Sequence, residues 1–391
     1  MFGAILIFAV TLMQGYVFWR AASVPLVMRH ISRKHLLGLG VALWALFLVV
    51  RVIGPEDTGG MSAILEFLGM TWMAVLFLMS VALFTVEVAT GFGFLLTRFV
   101  PVLRGAALAV GCVLSVIALI QGLRAPVVQN YDVYPDGLSG ELDGTVMVVL
   151  SDLHLGSVLG ERWLEARVEQ VRKERPDVIV LLGDVFEGHG APGKELLAVL
   201  RRLSAPLGKW AVLGNHEFHG SRTDNTALFE EANVHILRNT WVELRTGLVL
   251  AGVDNLTNSN NAGEAGVFLA KALAGRPQGA TVLLSHAPLP ADVVSGKGVD
   301  LILRGHTHGG QIWPFGYLVM QRFPLFEGSY ELGDMTAIVS RGTGTWGPRM
   351  RLWRPAEILR VTLHGRTKMR HPALASASMQ YPKEKPQDSG G

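Results

Sequence analysis

Between residues 303 and 311 the chain reads LRGHTHGGQ, which sets His306 and His308 one residue apart among glycines, directly after the apolar run VDLIL. Two imidazoles at that spacing, on a turn leaving a strand, are half of a metal site. Further donors recur in the same kind of place. TVMVVLS is followed by Asp152-Leu-His154, DVIVLL by Gly183-Asp184, KWAVL by Gly214-Asn215-His216-Glu217, and ATVLLS by His286. Asp152, His154, Asp184, Asn215, His286, His306 and His308 together offer carboxylate, amide and imidazole groups with no thiolate, a set for hard and borderline divalent cations. They suffice for two ions if one carboxylate bridges. Ions about 3.5–4 Å apart activate a water and steady both the attacking and leaving oxygens of an in-line phosphoryl displacement. Taken singly each fragment is commonplace, since a DxH, a GD turn or a lone histidine occurs in many unrelated chains. Their order, each at the end of an apolar run, carries the argument.

The runs that present these donors are expected strands at 145–151, 177–182, 209–213, 248–253, 280–285, 299–303, 335–340 and 357–363. Amphipathic stretches between them predict helices at about 161–175, 193–204, 224–233 and 264–274, so the fold class is α/β. Ligands of open α/β sheets gather where the strands end, because the loops converge there. Glycines before the donors suit tight turns and close backbone approach.

The first third of the chain has another texture. Of 391 residues, 50% are hydrophobic, and apolar runs at 2–19, 36–53, 67–86 and 105–123 each match the ~20 residues that span hydrocarbon. No polar face recurs along them, which argues against core helices of a soluble domain. Arg20, Arg29, Arg33, Lys34, Arg98 and Arg104 fill the first and third connections, and positive connections stay in the cytoplasm. The reading is therefore a transmembrane region over 1–125, a connector over 126–144 and a globular domain over 145–363 on the extracytoplasmic side. A disordered tail over 364–391 follows. The net charge of +3 comes from the membrane region and the tail; the part between is acidic, which disfavours nucleic acid as a partner. Cys112 is the sole cysteine and lies in the last apolar run, so the globular part has no disulfide.

Asp152-Leu-His154, Gly183-Asp184, Gly214-Asn215-His216-Glu217, His286 and Gly305-His306-Thr-His308 resemble the five motifs of the calcineurin-like metallophosphoesterases. The similarity covers about 145–363, and GHTHGGQ, SRGTGTWGP and the apolar spans resemble the family's membrane-bound branch. The resemblance implies a four-layer α/β/β/α sandwich. It also implies two divalent metal ions (Mn, Fe, Zn or Co), one held by Asp152, His154, Asp184 and His308, the other by Asp184, Asn215, His286 and His306. His216 would be the general acid, with Glu217 orienting its imidazole, in hydrolysis of a phosphomonoester or phosphodiester by metal-activated hydroxide. Tethering beside the bilayer makes a lipid- or envelope-linked phosphate ester attractive on proximity, while soluble relatives act on nucleotides, nucleic acids and phosphoproteins and the fold does not choose among them; the alternative is an inactive scaffold or binding module of the same fold. Glu187 stands where many members carry aspartate. His189, His219 and His235 match no family position; His189, His219, Arg304, Arg341 and Arg349 are candidate substrate contacts or ordinary loop and surface residues, Arg304 being expected as a solvated strand-end group. Glu87, costly at mid-bilayer by about 2.5–3.5 kcal/mol, is expected near an interface.

Overall fold

The computed structural model describes residues 2–53, 60–187, 194–218, 226–254 and 262–365. The expected tail, apart from its first two residues, and the candidates His189 and His219 lie outside them.

The first third is helical: α1 (Phe2–Ala21), α2 (Pro25–His30), α3 (Arg33–Ile53), α4 (Gly60–Ala89) and α5 (Val100–Leu123). Of these α1, α3, α4 and α5 are long and apolar enough to cross a membrane. Val10, Val17, Phe47, Leu76, Leu83 and Ala107 form their common core, while Phe8, Leu37, Phe84 and Val113 stay exposed. An apolar exterior is what lipid contact requires. Gly111 lets α5 lie on α4, since a Cβ there would come within 2.9 Å of Met79 Cα, the small-residue contact common between helices in lipid. Glu87 sits in the last turn of α4 and is 1% exposed. Arg104 donates to it through Nε at 2.7 Å and Nη2 at 3.1 Å, and Arg20 Nη2 lies 3.1 Å from it. Two guanidiniums from neighbouring helix ends compensate the carboxylate.

The globular part follows in the order β1 (Val127–Val133), β2 (Thr145–Leu150), α6 (Glu161–Lys173), β3 (Val178–Leu182), α7 (Lys194–Arg201), β4 (Lys209–Val212), α8 (Thr226–Glu231), β5 (His235–Ile236), β6 (Thr240–Arg245), β7 (Leu248–Gly252), α9 (Ala262–Leu273), β8 (Ala280–Ser285), α10 (Ala291–Val294), β9 (Leu301–Arg304), α11 (Gly316–Arg322), β10 (Gly328–Leu332), β11 (Met335–Val339) and β12 (Glu357–Leu363). They make two six-stranded sheets, ordered β1-β12-β2-β3-β4-β5 and β10-β11-β9-β8-β7-β6. Val149, Val180 and Leu182 face Leu250, Val282 and Leu303 across the inter-sheet core. Because strand side chains alternate, Val148, Ile179 and Leu181 point the other way and take Leu164, Val168, Leu197 and Leu200 of α6 and α7. On the far side Ala251, Leu283 and Ile302 take Ala265 and Leu269 of α9. The result is helix, sheet, sheet, helix, the four layers expected. Strands buried on both faces read as unbroken apolar runs, which is why β2, β3, β7, β8 and β9 stood out in the sequence.

The stretch read as a connector is partly strand: β1 pairs parallel with β12, Val127 opposite Glu357. β2, β3 and β4 run parallel in one sheet, and β7, β8 and β9 in the other. Their C-terminal ends therefore feed loops to a shared edge. Beside that edge the globular part meets the helices, where Ile312, Met350 and Leu352 pack on Ala74, Leu78 and Ala118 of α4 and α5. Arg351 donates its backbone N–H to the Ala118 carbonyl at 2.9 Å, and Trp353 donates its own to Gln121 Oε1 at 2.8 Å.

Candidate metal centre

Five strand ends deliver the donors: Asp152 and His154 after β2, Asp184 after β3, Asn215 and His216 after β4, His286 after β8, and His306 and His308 after β9. Three groups of ligand atoms result, each with its members within 4.8 Å of one another: Asp152, His154 and His308; His154, Asp184 and His216; Asp184, His286 and His306. His308 Nε2 is 3.3 Å from Asp152 Oδ1, and His286 Nε2 is 3.1 Å from Asp184 Oδ2. His154 Nε2 lies between, 3.1 Å from His308 Nε2 and 3.9 Å from Asp184 Oδ2.

The backbone is bent to achieve this. Asp152, His154, Asp184, His306 and His308 all have left-handed φ, from 46° to 73°, a region that side-chain-bearing residues enter at a cost of about 1–3 kcal/mol each and keep where the surroundings over-determine it. The intervening glycines are required sterically. A Cβ on Gly214 would lie 2.1 Å from Asp184 Oδ1, and one on Gly305 would lie 2.1 Å from Ser151 Oγ.

Donor atoms in the cluster lack ordinary hydrogen-bond partners. Asn215 Oδ1 is buried without one, a state that ordinarily costs about 1–3 kcal/mol, and His286 Nε2 has beside it the Asp184 carboxylate at 3.1 Å. Facing imidazole nitrogens 3.1 Å apart can share one proton at most. His286 Nδ1 lies 2.8 Å from the Leu182 carbonyl and His154 Nδ1 2.6 Å from Glu187 Oε2. Each outward nitrogen is engaged by an oxygen, so Nε2 is the atom of these rings that would turn to a cation. Orphaned oxygen and nitrogen lone pairs in one buried pocket fit divalent cations.

The sequence profile of the calcineurin-like phosphoesterases matches residues 146–310. A "transmembrane protein with metallophosphoesterase domain" of Bos taurus is 35% identical over 282 residues, 68% of this chain and 64% of that protein. An uncharacterized metallophosphoesterase of Campylobacter jejuni is 33% identical over 62% of this chain and 65% of its own length. One of Aquifex aeolicus is 35% identical over 55% of this chain and 84% of its own. The chain belongs to the calcineurin-like phosphoesterase family. It spans just under two thirds of the bovine and Campylobacter proteins. With four helices long and apolar enough to cross a membrane and a relative named a transmembrane protein, this chain is a membrane-associated member of a family that uses divalent metals.

Electrostatics in the phosphoesterase pocket run in opposed directions. Burial pushes the Asp152 carboxyl up. It would do the same to Asp184, but the His286, His216 and His154 charges outweigh it and hold Asp184 well below the usual carboxylate range. Burial also works against a charged His286, yet Asp184 and Asp152 raise that imidazole to about 10. His306 falls to about 4 through burial and then the His286 charge. His308 falls well below its ordinary value through burial and the charge of His154. Lone pairs on His306 and His308 are therefore free at neutral pH.

Glu217 lies among backbone amides. Its two oxygens accept the backbone N–H groups of Asp184, Val185, Phe186 and Gly214 at 2.6 to 3.2 Å, so it clamps the loops after β3 and β4 together. The carboxylate at the His216 ring is Glu187, whose Oε1 is 3.3 Å from Nδ1 while its Oε2 holds His154. Burial opposes a charged His216, but Glu187 outweighs it and raises the imidazole to about 9. The backbone N–H of His216 donates to Asp184 Oδ1 at 2.8 Å, tying the two together.

Sequence reasoning missed Arg351, which is fully buried. It donates to the carbonyls of His308, Arg341, Gly342, Gly344 and Arg354 at 2.6 to 3.3 Å, bolting the GTGTWGP loop to the HxH turn. Nothing in the run RMRLWR distinguishes it from a solvated arginine. Arg304, expected in solvent, is 1% exposed, and burial lowers it to about 10; it points into the protein because strand alternation at β9 leaves it no other side. Arg341 pairs with Glu357 through Nε at 2.8 Å. Arg349 is half-buried beneath α5, where a Cβ on Gly122 would come within 2.4 Å of its carbonyl oxygen. His235 is exposed on β5 and packs on the Trp210 ring at 4.9 Å.

Proposed function

We propose that the protein is a membrane-anchored dinuclear phosphoesterase that hydrolyses a phosphodiester or phosphomonoester with His216 as general acid. The observation that carries this reading is the sharing of His154 and Asp184 between neighbouring groups of ligand atoms, which leaves room for adjacent cations. Asp152, His154, Asp184 and His308 would hold one; Asp184, Asn215, His286 and His306 would hold the other. Bound there, Mn, Fe, Zn or Co ions would supply Lewis acidity and a water deprotonated near neutral pH. The chain's own groups do the rest. Glu187 fixes both His154 and His216, and the Leu182 carbonyl fixes the His286 tautomer. His216, half-buried at the rim, presents a ring proton toward the leaving oxygen. Glu217 holds the loops that set the spacing between Asp184 and His216.

In the same proposal residues 1–125 anchor the chain through four spans, and 145–363 do the chemistry. Arg20, Arg29, Arg33, Lys34, Arg98 and Arg104 lie at the end of the bundle remote from the globular part, so the positive-inside rule turns the site extracytoplasmic. The substrate is then a phosphate ester met at the membrane. The test is hydrolysis of a nitrophenyl phosphodiester with added Mn²⁺ by wild type and Asp184→Asn. The variant should lose nearly all the rate; equal rates at background would favour a non-catalytic scaffold.

A further inference from the structure

The turn that carries His306 and His308 continues into an apolar, aromatic surface. Trp313, Phe315, Tyr317, Leu318, Met320 and, from the neighbouring loop, Trp353 are 36% to 62% exposed. Trp313 and Trp353 are in ring contact at 5.1 Å, and Phe323, which closes α11, packs edge-on against His306 at 5.3 Å. Isolated exposed apolar residues need no explanation, but a contiguous aromatic patch beside an active site does.

Its neighbours say what covers it. The inner side of the same segment, Ile312 with Leu352, is buried on Ala74, Leu78 and Ala118, and Phe315 meets Phe77 of α4 edge-on at 6.1 Å. Helix rise puts Phe77 about 15 Å along α4 from Glu87, so the patch adjoins a part of the bundle that hydrocarbon about 30 Å thick would reach. From 305 to 326 the chain has no acidic residue, and α11 ends on Arg322. Tryptophan and tyrosine with a flanking cation is the composition of a bilayer interface.

We propose that Trp313–Met320 and Trp353 form a platform seated in the bilayer that holds α4 and α5, and that it opens the His306 edge of the site to phosphate esters carried on a lipid. The platform stands on its own; the substrate class rests on the phosphoesterase reading above. Water-soluble esters would reach the same pocket without help from the platform. An ester anchored by an alkyl chain is concentrated and oriented by it.

Two arms test this with the full chain in nanodiscs of phosphatidylcholine and phosphatidylglycerol. In a Cys112→Ser background, spin labels at Leu318→Cys and, on α9, at Val267→Cys are probed with oxygen, which partitions into lipid, and a nickel chelate, which stays in water. Leu318 should favour oxygen and Val267 the chelate; the same water exposure at both overturns the platform. In the second arm wild type and Leu318→Glu hydrolyse nitrophenyl phosphodiesters bearing an ethyl or a hexadecyl chain. Wild type should prefer the hexadecyl ester by roughly tenfold in kcat/KM, and Leu318→Glu should erase that preference with the ethyl rate unchanged. No chain-length preference in wild type, or an equal loss on both esters, overturns the lipid route. If wild type cleaves neither ester, it is the phosphoesterase reading that fails, and the spin labels still decide the platform.

Discussion

Glu187, to which the sequence assigned no role, gains one from its position in the structure. One carboxylate fixes two imidazoles, His154 at 2.6 Å and His216 at 3.3 Å, so Glu187→Gln should cost about 10–100-fold in metal affinity or activity, the usual effect of removing an outer-layer partner. Metal content of the purified variant and its kcat check this, and unchanged values of both would remove Glu187 from the site. Gly214→Ala is a steric counterpart. Its Cβ would sit 2.1 Å from Asp184 Oδ1, so the carboxylate or the loop must move; activity should collapse while circular dichroism stays native. Donor types were legible in the sequence because a cation accepts few kinds of atom. Arg351 and the true partners of Glu217 were not, because an arginine or glutamate looks the same in a sequence whether it meets carbonyls, amides or water.

Among the elements, those buried on both faces were legible and those at edges were not. β1, β6 and β10 alternate between exposed and half-buried positions, so their composition does not separate them from loops, and β1 is a strand only because β12 lies beside it. Inner strands carry the stability. Leu284→Ala on β8, fully buried between the sheets, should cost about 2–5 kcal/mol, read as a lowered denaturation midpoint with metal binding retained. In the helical part the Arg20–Glu87–Arg104 cluster joins α1, α4 and α5. Glu87→Gln leaves two guanidiniums facing each other, and breaking a buried ion cluster from one side typically costs about 3–5 kcal/mol. Unfolding of the full chain in detergent measures it, and a double-mutant cycle with Arg104→Gln isolates the pair.

For the whole molecule, metal and fold should be linked. Bound cations would satisfy the strained donors and the unpaired lone pairs of the cluster, so chelation should lower the melting temperature and Mn²⁺ should restore it, by about 2.7 kcal/mol at a hundred times the Kd. Identical melting curves with and without metal would argue against a bound cation. A reporter active only in the cytoplasm, fused at the C-terminus, should stay silent if the catalytic part is external. The sequence by itself determined the candidate donor types, the order of the inner strands and of the helices between them, and the four apolar helices. Each of these is a local property, written in the residue types of one short segment and in their period. Tertiary structure alone decided that the donors of five segments meet around His154 and Asp184, that Glu187 reaches the His216 ring, that Arg304 is buried, and that the HxH turn leans on α4 and α5. Those facts depend on which distant segments the sheet order and the packing of the two cores bring into contact, and no local pattern encodes that.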